Sequence, residues 1–214
     1  LVGSEMCIRD SNHWANPDVL DSVTNYECYK GIYSSHNDHN YFEIAHSLNR
    51  QFANGGIYRN IYTYNFVDNH DVNRVASMLK DKNHLNNVYT MMYTMPGVPS
   101  IYYGSEFGIE GMRTAYSDYE LRPCLDLDSI PNPNYELLEH IKKLGVVRLA
   151  LEALKYGDFE NINIQNEKLV YRRKPTIRLF LLHSTLQTVL KESVLTQAAT
   201  QSLQMFSTAT KLLM

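Results

Sequence analysis

Apolar and polar residues at positions 12–173 follow, in turn, the two-residue period of strands and the 3.6-residue period of helices. Three short runs rich in tyrosine, isoleucine and valine predict strands, at residues 21–26, 61–67 and 98–103. Apolar residues three and four positions apart predict helices over residues 39–53, 73–95 and 135–154, the second in one or two pieces. Leu169 begins a further predicted strand. This alternation predicts an α/β fold with a parallel sheet covered by helices.

The final 41 residues, Lys174 to Met214, differ in composition from everything before them. They contain no glycine, aspartate, asparagine or tyrosine, whereas all 16 tyrosines of the chain lie at or before Tyr171. Apolar residues at four-residue spacing between positions 182 and 198 are compatible with a helix that packs on the rest of the chain. Because the change is so abrupt, we expect instead an out-of-frame tail over residues 174–214.

The first eleven residues, LVGSEMCIRDS, show neither a clear hydrophobic period nor a helix-cap signal. One interpretation is a genuine strand followed by a polar turn, and the other is a segment that is foreign to the protein. We expect the second, so that the native sequence starts near Asn12.

Composition and charge exclude several classes of function. Charged residues make up 20% of the chain and the formal net charge is -3, so no basic surplus points to nucleic acid. No run of apolar residues reaches the eighteen or so that a membrane helix needs. The three cysteines, Cys7, Cys28 and Cys124, are too widely spaced to suggest a disulfide framework. Neither a P-loop nor a GxGxxG string is present, so nothing supports nucleotide binding.

Polar residues come directly after the predicted strand at residues 61–67. They are Asp68, Asn69, His70 and Asp71. In parallel α/β folds, ligands and catalytic groups lie at the carboxyl ends of strands. This position predicts a functional site, and the alternative is that Asp71 or Asn73 caps a helix that starts near Val72.

Two aromatic positions are candidates for binding a sugar. Tyr102 and Tyr103 close the predicted strand at 98–103, so one side chain should point inward and the other outward. A tyrosine ring can stack on a pyranose while its hydroxyl forms a hydrogen bond, and plain core packing is the alternative. The same two interpretations apply to Trp14, the only tryptophan.

The string His36-Asn37-Asp38-His39 has residue types that bind metals. Its polar neighbours favour a solvated loop in which Asp38 and His39 cap the helix that follows. We therefore expect no metal site there.

Four strings resemble segments of the α-amylase superfamily, glycoside hydrolase family 13. FVDNHD at residues 66–71 resembles the fourth signature region, and GVPSIYYGSEFGIEG at 97–111 resembles the segment at strand eight. DSVTNYE at 21–27 and ELRPCLDL at 120–127 resemble the sixth-strand region and the loop after strand eight. Residues 14–50 look closest to the cyclomaltodextrinase, neopullulanase and maltogenic amylase group.

This resemblance implies the C-terminal half of a (β/α)8 TIM barrel, with strands six to eight and their helices, over residues 12–158. Residues 159–173 would be the first strand of a C-terminal β domain. A complete barrel needs about 250 residues, so the earlier strands would be missing.

The resemblance also implies a retaining glycosidase that acts on α-1,4 or α-1,6 linkages of maltodextrins or cyclodextrins through an oxocarbenium-like transition state. Of the family's three catalytic carboxylates, only the transition-state stabiliser maps onto this chain, at Asp71. His70, Asn69 and Tyr103 would contact the sugar. The nucleophile string GxRxD is absent and Glu5 does not match the acid/base position, so we expect this chain to be inactive.

The partner implied is an α-glucan oligosaccharide, with no nucleic acid, membrane, metal or other cofactor. Transglycosylases, isomerases and non-catalytic binding subunits of the superfamily share these motifs and are the alternatives.

Overall fold

The structure is a computed structural model that describes residues 14–16 and 18–175. The foreign N-terminal segment predicted at 1–11 lies outside these residues, as does the tail predicted at 174–214 apart from its first two positions. Both therefore stay predictions.

Helices form most of the regular structure. In chain order they are α1 (Tyr26–Asn37), α2 (Phe42–Phe52), α3 (Val75–Met78), α4 (Leu85–Thr94), α5 (Tyr135–Ala150) and α6 (Glu152–Tyr156). Short 3-10 helices lie at Lys82–His84, Ser105–Phe107 and Tyr119–Leu121. The one or two helices predicted over 73–95 are thus α3, a 3-10 turn and α4.

Three neighbouring segments run parallel. Strand β1 (Tyr64–Asn65) pairs with β2 (Val98–Pro99), and Tyr64 also forms an isolated parallel bridge with Thr24. Each parallel connection crosses over through helices, α1 and α2 in the first case and α3 and α4 in the second. This is the βαβ arrangement that the alternating sequence pattern predicts.

The strands are much shorter than predicted. At the first, only Thr24 pairs, because Asn25 turns the chain into α1 by accepting a hydrogen bond from the Cys28 N–H. At β2 the N–H groups of Val98 and Ser100 donate to the Thr63 and Asn65 carbonyls, both at 2.8 Å, and Gly97, in a left-handed conformation (φ 104°), directly precedes the strand.

Helix α1 corrects the prediction of a solvated loop at His36 and Asn37, whereas Asp38 and His39 are exposed and lie outside the helix, as predicted. Cys28, Ile32 and His36 are spaced four residues apart and all are buried, which gives α1 one continuous inner face. The caps predicted for the following helix are also wrong, because the Asn40 carboxamide, and not Asp38 or His39, accepts the N–H of Phe42.

The C-terminal part is a hairpin and not the single strand predicted. Strand β3 (Asp158–Gln165) pairs antiparallel with β4 (Lys168–Lys174), with an irregularity between Asn161 and Asn163. The sequence DFENINIQ has three apolar residues among five polar ones, so its strand signal is weak. The hairpin contacts α2, where Asn161 Nδ2 donates to the Ala45 carbonyl at 3.0 Å.

A buried polar network joins the first parallel segment to α2 and β1. Asn25 Nδ2 donates to Gln51 Oε1 at 2.9 Å and to Asn65 Oδ1 at 3.1 Å. Asn65 Nδ2 in turn donates to the Pro96 carbonyl at 2.6 Å, which reaches the start of β2. Because buried amides must find partners, this network specifies how the three parallel segments align.

We expect Asn25→Ala to lower the free energy of unfolding by about 2–4 kcal/mol. The substitution removes the N-cap of α1 and takes one hydrogen-bond partner from each of the buried amides of Gln51 and Asn65. Urea unfolding followed by circular dichroism measures this. Asn49→Ala, at an exposed position of α2, is the matched control and should change stability by about 0.5 kcal/mol or less. Equal effects of the two substitutions would contradict the role given to the network.

Candidate active site

The four polar residues after β1 lie at the carboxyl end of that strand, as predicted. Burial decreases along the string, because Asp68 is buried, Asn69 and Asp71 are half-buried, and His70 is exposed. The string therefore supplies both an inner structural carboxylate and an outer one that solvent reaches.

Asp68 is the inner carboxylate and connects the loops after β1 and β2. Its oxygens accept the Ser105 hydroxyl at 2.9 Å, and Oδ2 accepts the Val75 N–H at 2.9 Å. Asp68 thus binds the first N–H of α3, a role that the sequence suggested for Asp71 or Asn73. Burial raises the pKa of Asp68 to about 6, although the bonds from Val75 and Ser105 oppose this rise.

Asn69 shapes the turn between the two carboxylates. Its Oδ1 accepts the N–H groups of Asp71 at 2.8 Å and Val72 at 3.1 Å. Its Nδ2 donates to the Tyr26 hydroxyl at 3.1 Å, on α1. These bonds fix the backbone of Asp71, and a direct contact between Asn69 and a sugar stays a prediction.

Asp71 is the outer carboxylate, and a nitrogen-bearing side chain lies beside each of its oxygens. Arg122 Nη2 is 3.2 Å from Oδ1 and His70 Nε2 is 3.1 Å from Oδ2. Arg122 also donates to the His70 carbonyl at 3.2 Å and pairs with Asp118 at 3.0 Å. The structure thus brings His70 and Asp71 together, and it adds Arg122, which sequence reasoning missed.

Arg74 is completely buried beneath the site and binds the backbone of the loop after β2. Its Nη1 donates to the Tyr103 carbonyl at 2.7 Å and to the Ser105 hydroxyl at 2.9 Å, and its Nη2 donates to the Leu121 carbonyl at 2.8 Å. The guanidinium carbon lies 4.2 Å from the centre of the Tyr102 ring, a cation–π distance. An arginine just before the apolar run of α3 was the available sequence signal.

Both tyrosines after β2 lie at the edge of this site. Tyr103 is 42% exposed, and its hydroxyl donates to the Pro123 carbonyl at 2.8 Å. The Tyr102 ring packs edge-on against Tyr103 at 4.7 Å and lies 6.5 Å from the His70 ring. The Trp14 side chain is 54% exposed, and both sugar stacking and packing stay predictions for it.

Two features are absent from the part of the chain that the structure describes. There, no group of three or more histidine, cysteine, aspartate or glutamate side chains is arranged to hold a metal ion. Within residues 14–16 and 18–175, no helix combines the length and apolar character that crossing a membrane requires.

Comparison with known proteins decides the family. A family model of the alpha-amylase catalytic domain matches residues 2–157. The chain belongs to the alpha-amylase family. This confirms the resemblance drawn from FVDNHD and from the segment at 97–111. It also confirms the predicted fold class, which is part of a TIM barrel, and the prediction that the family is one of glycosidases.

Individual relatives agree with this assignment. A cyclomaltodextrinase of Geobacillus thermopakistaniensis (strain MAS1) is 28% identical over 170 residues, which are 77% of this chain and 28% of that protein. A cyclomaltodextrin glucanotransferase of Bacillus sp. (strain 1011) is 33% identical over 109 residues, 51% of this chain and 14% of that protein. The chain therefore spans less than a third of the length of these relatives.

Solved structures show the same fold. The maltogenic amylase of S. marinus superposes with a TM-score of 0.61 at 30% identity, covering 76% of this chain and 23% of the other. An Anoxybacillus alpha-amylase superposes with a TM-score of 0.66 at 21% identity, covering 81% of this chain and 37% of the other. These are structures of alpha-amylase family enzymes, whose barrels include the region that this chain matches.

We expect Asp68 to make stability depend on pH. Its pKa of about 6 in the folded state lies above the value of about 3.9 in an unfolded chain, so the folded state binds the proton more tightly. This contribution to stability is complete below about pH 4 and is lost as the pH rises through about 6, on the order of 3 kcal/mol.

Urea unfolding of wild type and Asp68→Asn between pH 4.5 and 7.5 tests this. The stability of wild type relative to Asp68→Asn should fall as the pH rises. Asp128→Asn, at an exposed position, should leave the wild-type pH dependence unchanged. Identical slopes in wild type and Asp68→Asn would contradict the raised pKa.

Proposed function

We propose that the complete protein carrying this sequence hydrolyses α-1,4 linkages of maltodextrins and cyclodextrins, and α-1,6 linkages as a second class, with retention of configuration. The observation that carries the proposal is the pairing of Asp71 with His70 at the carboxyl end of β1, where both side chains reach solvent. Relatives named cyclomaltodextrinase and maltogenic alpha-amylase, each 28% identical, support the substrate class.

In this proposal Asp71 stabilises the transition state. Positive charge develops on the sugar ring as the glycosidic bond breaks, and a fixed carboxylate nearby lowers the energy of that charge. Asn69 holds the Asp71 backbone and Arg122 holds one carboxylate oxygen, so the group is placed before the substrate arrives. Such placement avoids reorganisation during the reaction.

His70 and Tyr103 are the proposed sugar contacts. The His70 ring is exposed, and with Nε2 against Asp71 its other nitrogen, Nδ1, is the one proposed to bond a sugar hydroxyl. The exposed Tyr103 ring has a flat face suited to stacking on a pyranose, while its hydroxyl is anchored to Pro123. Asn69 acts mainly through the backbone of Asp71, with its carboxamide at the same edge.

We propose further that residues 1–214 by themselves do not hydrolyse glucans. A retaining mechanism needs a nucleophilic carboxylate and a second carboxyl group as acid and base. Asp71 supplies neither, and the sequence has no GxRxD string for the nucleophile.

In the complete enzyme, Asp71→Asn should lower kcat at least about 100-fold, because the amide carries no charge to stabilise the transition state. Initial rates on maltoheptaose and β-cyclodextrin measure this, with thermal unfolding to verify that the fold is kept. Asp126→Asn, in the exposed loop after β2, is the matched control and should keep parental rates. Parental turnover by Asp71→Asn would refute the assigned role.

Purified residues 1–214 should release no reducing sugar from maltoheptaose or β-cyclodextrin. Activity that survives repeated purification would refute the proposed inactivity. If Glu5→Gln then abolished that activity, Glu5 would be the acid/base group after all.

A second candidate is glucosyl transfer, because cyclomaltodextrin glucanotransferases are 31–33% identical over 109 residues. The products separate the two functions. With concentrated maltotriose, a transferase forms longer or cyclic glucans, whereas a hydrolase forms maltose and glucose.

A further inference from the structure

Three histidines from separate parts of the chain converge outside the candidate active site. His36 lies in the last turn of α1, His39 in the connection to α2, and His84 at the end of the 3-10 helix Lys82–His84. The His84 ring centre is 5.6 Å from that of His36 and 5.7 Å from that of His39. His36 and His39 belong to the string for which the sequence predicts no metal site, and the fold brings His84, a residue distant in the sequence, next to both of them.

His36 has the arrangement of a metal ligand. Its side chain is buried, and Nδ1 lies 2.7 Å from the Ile32 carbonyl oxygen, which can only accept, so Nδ1 carries the proton. Nε2 then presents a lone pair, and it has no hydrogen-bond partner among the described residues. Histidines that bind metals typically donate their other ring N–H to a carbonyl or carboxylate in this way. Burial also lowers the pKa of His36.

His84 offers a second unused nitrogen. Its Nδ1 is buried and has no hydrogen-bond partner among the described residues either. Leaving a buried polar atom unpaired is costly, and two such atoms on neighbouring rings suggest one shared ligand.

The spacing of the rings suits an ion between them. A metal bound at 2.0–2.1 Å from a ring nitrogen lies about 3.2 Å from the ring centre, so two ring centres 5.6 Å apart can share one ion. We propose that His36 Nε2 and His84 Nδ1 together bind one divalent transition-metal ion of the zinc or nickel class. Imidazole nitrogens are the ligands that these ions favour.

Water completes the coordination in this proposal. No third histidine, cysteine, aspartate or glutamate of the described chain is arranged to join the two ligands. His39 is left out of the pair because its ring is largely exposed and, unlike His36 and His84, it has no buried ring nitrogen without a partner among the described residues. The His39 Nδ1 pairs with Glu167 Oε1 at 3.3 Å, and the His39 side chain is 62% exposed.

The site would tie the end of α1 to the start of α4. Asn37 already bonds this region, since its Nδ2 donates to the Met78 carbonyl and its Oδ1 accepts the Lys80 N–H, both at 2.8 Å. An ion that binds the folded chain and not the unfolded one raises thermal stability by mass action. None of the residues proposed for catalysis takes part, so this inference does not rest on the proposed function.

Calorimetric titration of untagged residues 1–214 with NiCl2 under reducing conditions tests the site. Nickel is the probe because thiolates bind zinc readily and the chain has three cysteines that would compete with the histidines for it. We expect one saturable site per chain and a higher unfolding temperature with nickel. His84→Gln and His36→Gln should each weaken binding at least about tenfold.

His46→Gln, at an exposed position of α2, is the matched control and should bind nickel as wild type does. His84→Gln is the decisive variant, because its side chain is partly exposed and the substitution disturbs packing less than His36→Gln. No binding by wild type would overturn the proposal. So would an equal loss in His46→Gln, or unchanged binding by His84→Gln.

Discussion

Arg74 places a positive charge where water does not reach it, and its surroundings compensate for that burial. A buried guanidinium is stable only if hydrogen bonds and nearby negative charge replace its hydration. The carbonyls of Tyr103 and Leu121 and the hydroxyl of Ser105 supply the bonds, and Asp68, which binds that same hydroxyl, supplies the charge. These partners belong to two different loops, so satisfying one side chain forces the loops after β1 and β2 to lie together.

The geometry of the outer carboxylate follows from this inner contact. Arg74 holds the carbonyl of Leu121, and the next residue, Arg122, reaches Asp71. From the other side, Asp68 binds the first N–H of α3 while Asn69 fixes the backbone of Asp71. Exposed ion pairs alone contribute little to stability, so the buried layer beneath is what gives the Asp71–Arg122 pair its position.

Helices with a long apolar stripe were predictable, and strand lengths were not. Helices α2, α4 and α5 appear where the period indicated them, because a helix makes its hydrogen bonds within its own segment. A strand needs a neighbour at each position, so residues 61–67 form only a two-residue ladder where β2 and Thr24 meet them. The sequence pattern did not predict helix α1, because its inner stripe ends in His36, a polar residue type.

By itself, the sequence determined the family and the place of the outer carboxylate, because FVDNHD and the segment at 97–111 are local strings that need no partner to be recognised. It could not determine which distant residues meet these strings. Arg122 at Asp71, Ser105 between Asp68 and Arg74, and His84 beside His36 are all contacts across turns of the fold. Only the tertiary structure decides them, since each depends on packing that brings separate loops together and on burial that makes unpaired polar atoms costly.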